Sequence, residues 1–99
     1  MLYYRVLILS FACKDTEKVS RGEFTRKWST EVRRVAMRRL DYLNAAIGLE
    51  DLRIPPSNRL HALKGDLAGY YSISVNMQWR IVFIWRNGHA HNVKMIDYH

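Results

Sequence analysis

The spacing of apolar residues divides the chain into a helical first part and a strand-rich second part. Val32, Val35, Ala36, Leu40, Leu43 and Ile47 recur at steps of three and four. That period predicts one amphipathic helix over about residues 30–47. Thr30 serves as its N-cap, Glu31 suits the positive end of the helix dipole, and Gly48 is the natural stop. A shorter helix is expected from Asp15 to Ser20, ending near Gly22. Ile54-Pro55-Pro56 forbids further helix and begins an extended segment.

From Arg59 onward the period falls to two. Tyr71, Ile73 and Val75 alternate with Ser72, Ser74 and Asn76, the pattern of a half-buried strand. Trp79 to Trp85 is apolar on both faces and reads as a central strand. Asn87-Gly88 is a favoured pair for a two-residue hairpin, with His89 to Asp97 as the returning strand. Leu2 to Leu9, aromatic and β-branched, is a further strand candidate. Helices followed by an antiparallel meander make an α+β domain, and 99 residues suffice for one, spanning 1–99.

Composition adds a partner class. The net charge is +7, and residues 1–40 carry ten Lys/Arg against four Asp/Glu. A polyanion is the expected partner, whether RNA, DNA or an acidic protein. The helix arginines Arg33, Arg34, Arg38 and Arg39 lie mostly off the apolar stripe; with Arg21, Arg26 and Lys27 they form a candidate RNA- or ribosome-binding surface. For any one of them, a solvated helix face explains the charge as well. Cys13 is the single cysteine, so no internal disulfide can form, and a reducing, cytoplasmic setting fits. It reads as a packed residue. Trp28, Trp79 and Trp85 read as core or interface. The apolar run from Met1 to Phe11 is interrupted by Arg5 and is too short to span a bilayer, so no membrane partner is expected.

Candidate chemistry is concentrated in two segments, Arg59-Leu60-His61-Ala62-Leu63-Lys64-Gly65-Asp66 and the terminal Asp97-Tyr98-His99. Between them Arg80 interrupts the apolar strand, and a charge there needs a reason, since burying one unpaired costs several kcal/mol, roughly. Pairing with Asp97 across the sheet is one. Taken singly, each segment has a plain explanation: a surface histidine, a polar turn, a chain end. His89 and His91, two apart on one strand, share a face but lack a third ligand at metal-binding spacing; no metal and no cofactor are expected.

Together these motifs resemble the HigB-type toxins of the RelE superfamily. The resemblance runs through Leu43-Asn44-Ala45-Ala46, Leu49-Glu50-Asp51-Leu52, Ile54-Pro55-Pro56, the Arg59–Asp66 segment, Tyr71-Ser72-Ile73, Gln78-Trp79-Arg80-Ile81 and Asp97-Tyr98-His99. It implies a RelE-like fold, with N-terminal helices packed on a curved antiparallel sheet. It also implies metal-independent cleavage of mRNA on the ribosome, within a type II toxin–antitoxin pair whose helix-turn-helix antitoxin (HigA-type) would supply any contact with DNA. The family's catalytic positions fall on His61, Lys64, Arg80, Asp97, Tyr98 and His99. The chemistry is coherent in its own right. Cutting RNA through its 2′-hydroxyl needs a base, an acid and cations for the phosphate. Imidazole titrates near neutrality, so His61 and His99 can share the proton roles, in an order left open. Lys64 and Arg80 suit the phosphate; Asp97 can orient an imidazole, and Tyr98 can stack on a base or donate its hydroxyl. A non-catalytic RNA- or DNA-binding module on the same scaffold would not need this set, nor would a domain that only sequesters a partner.

Overall fold

A computed structural model describes residues 8–97. Two helices, α1 (Lys14–Ser20) and α2 (Thr30–Ala45), precede three short 3-10 turns and four strands: β1 (His61–Ala62), β2 (Tyr71–Ser74), β3 (Trp79–Arg86) and β4 (His89–Asp97). The strands form one antiparallel sheet in the order β1-β2-β3-β4. Beyond β4, residues 8–12 run parallel to it: Ile8 bridges Ala90, Phe11 bridges Val93, and the Leu9 and Ala12 amides donate to the Ala90 and Val93 carbonyls at 2.8 and 2.9 Å. The strand expected over Leu2 to Leu9 lies almost wholly outside the described residues. Among the described residues no helix is long and apolar enough to cross a membrane.

The hydrophobic seam of α2 supplies one wall of the core. Ala36, Leu40 and Leu43 are buried in one cluster with Ile73, Ile81, Phe83, Val93 and Met95 from the sheet. Full burial of such a Leu or Ile contributes about 1.5–3 kcal/mol. Register shows why these sheet residues belong together. Residues directly opposite in an antiparallel pair point the same way. The pairs Tyr71–Phe83, Ile73–Ile81 and Ile81–Met95 therefore face the helices. The pairs His61–Ser72, Ser72–Val82, Val82–Lys94, Ser74–Arg80 and Arg80–Ile96 face the other way. α1 is tied to β4 by buried Thr16, whose hydroxyl accepts from the Met95 amide at 3.0 Å.

Several expectations change in detail. The N-cap of α2 is Ser29, whose hydroxyl accepts from the Val32 amide at 3.2 Å, with Thr30 the first helical residue. The helix stops at Ala45, and Ile47 is 68% exposed instead of completing the stripe. The Asp51 carboxylate explains the early stop: it accepts from the Ile47 and Gly48 amides at 2.9 and 3.2 Å, drawing the chain into a 3-10 turn over Leu49–Arg53. Those two N–H donors, Ile47 first, hold the Asp51 carboxyl below its ordinary range.

The segment after Ile54 is likewise not extended: a second 3-10 turn, Pro56–Asn58, follows a cis Ile54-Pro55 bond. Fully buried Asn58 holds this loop by donating Nδ2 to the Leu52 carbonyl at 3.1 Å. We expect Asn58→Ala to lower unfolding free energy by about 1–3 kcal/mol, because it orphans that buried carbonyl; urea unfolding monitored by tryptophan fluorescence checks this.

The β3–β4 turn behaves as read. Asn87 and Gly88 both have positive φ, 54° and 79°, as a type I′ hairpin requires. Farther along, the register jumps between Val82 and Ile84 because β4 carries an extra residue, and Asn92 takes φ 54°. This is a β-bulge. Ser10 steadies it, its hydroxyl accepting from the Asn92 amide at 2.9 Å.

Candidate active site

The face of the sheet turned away from the helices carries His61 and Arg80 of the candidate set. Ser72 and Ser74 sit there, but the alternation that predicted them exposed is overridden: both are buried. Arg80 is the reason. It occupies the same face, is only 7% exposed, and its Nε donates to the Ser72 hydroxyl in a short hydrogen bond. Its Nη2 donates to the Arg59 carbonyl at 3.0 Å and lies 3.3 Å from His61 Nδ1. The buried charge therefore has hydrogen-bond acceptors instead of an apolar cage, which is what makes its burial tolerable.

His61 is placed by the same carbonyl. Its Nδ1 lies 3.1 Å from Arg59 O. The carbonyl only accepts and the guanidinium only donates, so Nδ1 bonds the carbonyl when it carries the proton and the guanidinium when the proton is on Nε2. The one oxygen thus accepts from Arg80 and lies beside the His61 ring. Arg59 can aim its carbonyl inward because it adopts left-handed backbone angles, φ 49° and ψ 51°, at the end of the Pro56–Asn58 turn.

His61, Lys64 and Asp97 line one cleft of about 780 Å³, together with Leu63, Leu67 and Ile96. By register Asp97 pairs with Trp79 and belongs to the helix-facing rows. It reaches the cleft because it stands at the very end of β4, where its carboxylate accepts from Gln78 Nε2 at 3.0 Å. Arg80 backs the cleft through its contact with His61. The four described members of the predicted catalytic set are thus brought around one site. Tyr98 and His99 lie outside the described residues. Sequence reading had not marked Ser72, the Arg59 carbonyl, Gln78 or Lys94. Lys94 extends the row His61–Ser72–Val82 on the same face, 5.9 Å from the Tyr70 ring. The signal for Ser72 was its place opposite the strand that holds Arg80, visible only once register is known.

The seven basic residues assigned to RNA binding separate into groups. Arg26, Lys27, Arg34 and Arg38 are exposed and have no ion pair among the described residues. Arg21 is held by Glu17 at 2.8 Å and Glu23 at 3.8 Å. Arg33 serves the local fold, donating to the Thr25 carbonyl at 3.0 Å and the Thr30 hydroxyl at 3.1 Å with its guanidinium 4.8 Å from the Phe24 ring. Arg39 turns toward the sheet and donates to the Ser74 carbonyl at 3.1 Å.

Cys13 is half-buried at the start of α1 and packs against the core. Burial pushes its thiol up, but hydrogen bonds from Thr16 and the Asp15 backbone, with the Lys27 charge, outweigh it and hold the thiol below its ordinary value. Trp28 is buried and meets Trp79 edge-on, with centroids 5.8 Å apart. His89 and His91 face the same way as Arg86 and Ile84, on the side of Arg80; among the described residues no group of three His, Cys, Asp or Glu gathers as metal ligands.

Comparison with known proteins places this arrangement. The sequence is 44% identical over 63 residues to Toxin HigB-1 of Vibrio cholerae, covering 64% of this chain and 66% of that protein. It is 51% identical over 41 residues to Endoribonuclease HigB of Proteus vulgaris, covering 41% of this chain and 45% of that protein. The chain thus matches less than two thirds of the length of either relative. In structure it superposes on the YoeB dimer protein of Staphylococcus aureus with a TM-score of 0.56 at 20% identity, over 96% of this chain and 98% of that one. That likeness shows a shared fold. A family sequence model, described as the RelE-like toxin HigB of type II toxin–antitoxin systems, matches residues 9–99. The chain therefore belongs to the HigB-like family of RelE-like toxins.

Proposed function

We propose that this chain is an endoribonuclease toxin that cuts mRNA on the ribosome, in the cytoplasm, and is neutralised by a co-expressed helix-turn-helix antitoxin. One observation carries the reading: His61, Lys64 and Asp97 share a cleft with the Arg80 guanidinium immediately behind the imidazole. Those are the groups that transesterification of RNA needs. A base removes the proton of a 2′-hydroxyl, whose oxygen attacks the adjacent phosphorus. The bond from phosphorus to the 5′-oxygen breaks, an acid protonates that oxygen, and a cyclic phosphate is left. His61 is assigned one of the two proton transfers, and His99 the complementary one. Lys64 and Arg80 stabilise the charge that builds on the phosphoryl oxygens. Asp97, steadied by Gln78, orients a neighbouring donor, and Tyr98 is assigned to base stacking or to proton donation. The exposed basic residues Arg26, Lys27, Arg34 and Arg38 supply a sequence-independent grip on ribosomal RNA.

The test is induced expression of the wild type and of a form lacking His99, with mRNA 5′ ends mapped in each. Growth arrest with cuts phased to codons in the wild type alone is the expected result. Absence of new 5′ ends in the wild type, with ribosome binding retained, would show a non-catalytic RNA-binding module instead.

A further inference from the structure

We infer that a second pocket, lined in part by Arg80, binds a backbone phosphate of the single-stranded RNA next to the one that is cut; this rests on the nuclease reading above. The pocket has a volume of about 440 Å³; Arg39, Ser57, Arg59 and Arg80 are among its lining residues, with Val75 and Met77 as its apolar part. No carboxylate among the described residues is on its walls. The described ion pairs engage only Arg21 and Arg53, so the side chains of Arg39 and Arg59 have no described acidic partner. Arg39 and Arg59 set two guanidinium groups on one hollow, where they repel one another, and an anion relieves that repulsion.

The pocket is also organised. Arg39 is held by the Ser74 carbonyl at 3.1 Å and the Ser57 hydroxyl at 3.4 Å. The backbone of Arg59 is pinned because its carbonyl accepts from Arg80. Its side chain is exposed and can close over a ligand. A planar fork of N–H donors matches the paired oxygens of a phosphodiester, and Ser57 offers a hydroxyl beside it. Arg80 lines the pocket and lies 3.3 Å from His61, which lines the cleft, so a strand with one phosphate at His61 and Lys64 passes Arg80 before its next phosphate reaches Arg39 and Arg59. Holding that neighbour would fix the register of the scissile phosphate without reading a base.

The experiment uses the full-length protein and short oligoribonucleotides whose 2′-hydroxyls are all methylated, which cannot be cut. Each phosphate in turn is replaced by a neutral methylphosphonate, and Kd is measured by fluorescence anisotropy at one salt concentration. In the wild type, neutralising one phosphate beside the scissile position should weaken binding by about tenfold, the size of a charged hydrogen bond. In Arg59→Gln the same neutralisation should cost nothing further, while Arg59→Lys should retain part of the effect. Equal responses of wild type and Arg59→Gln at every phosphate would overturn the inference, as would a wild type that binds none of the oligonucleotides. Thermal melting shows whether each variant is folded. A protein that gives this pattern but cuts no mRNA refutes only the nuclease reading; one that cuts normally without it refutes only the pocket.

Discussion

Replacing His61 by alanine is expected to slow RNA cleavage by about 10²–10⁴-fold, the usual worth of a positioned acid–base group, while leaving thermal stability almost unchanged. The asymmetry follows from placement. His61 is exposed on a two-residue strand at the edge of the sheet, with Nδ1 beside the Arg59 carbonyl and the Arg80 guanidinium. Little packing is lost when the ring is removed, and the Arg59 carbonyl keeps Arg80 as donor. His61→Gln separates position from proton transfer, because its amide can donate to the same carbonyl but does not titrate. Ribosome cleavage assays on wild type, His61→Ala and His61→Gln, paired with melting curves, measure both sides. A histidine variant that cuts at the wild-type rate would remove His61 from the mechanism. One that unfolds would make it a structural residue.

Arg80 should behave differently, losing activity and stability together. Arg80→Ala leaves the buried Ser72 hydroxyl without its donor and removes one from the Arg59 carbonyl. Each polar group so orphaned costs about 1–3 kcal/mol. The same change removes a cation from behind the reacting phosphate, for which a loss of about 10²–10³-fold in rate is expected. Arg80→Lys keeps the charge but cannot bond Ser72, Arg59 and a phosphate at once, since an ammonium lacks the planar fork. It should recover part of the stability and little of the rate. Urea midpoints and single-turnover cleavage of mRNA on ribosomes distinguish these effects. An alanine variant with wild-type midpoint and rate would contradict both roles.

Much of this architecture was legible in the order of residues. The α2 seam from Val32 to Leu43, the central strand from Trp79, the Asn87-Gly88 turn and the full length of β4 all follow from periodicity and turn chemistry. What periodicity reports is which residues share a face. It does not report what covers that face. Ser72 and Ser74 alternate like solvent-facing residues, yet Arg80 bends over one and Arg39 donates to the backbone of the other. Ile47 continues the helical repeat, yet Asp51 draws the backbone out of the helix before reaching it. The same limit applies to the basic residues. Charge counts placed Arg21 and Arg33 in an RNA footprint beside Arg34 and Arg38, whereas only geometry shows that Glu17 neutralises one and the Thr25 carbonyl employs the other. In the candidate site, residue types located His61, Lys64, Arg80 and Asp97. The carbonyl beside which the His61 ring and the Arg80 guanidinium meet belongs to the backbone and leaves no mark in side-chain identity.

The extra residue at Asn92 sets the phase of everything after it in β4. Ahead of it Ala90 points to the helices and His91 away from them. Strict alternation from there would turn Lys94 into the hydrophobic interior and Met95 out of it. The bulge absorbs one position, so Val93 and Met95 are buried in the core while Lys94 and Ile96 join Arg80 on the opposite side. Inside and outside at the end of the chain are thus decided five residues before Asp97, by a single left-handed asparagine that touches neither the cleft nor the core. Straightening the strand there, with Asn92 kept as an ordinary paired residue, would exchange the two sides and carry the end of β4 out of step with the imidazole it is built to meet, whereas deleting Asn92 would leave the alternation in phase.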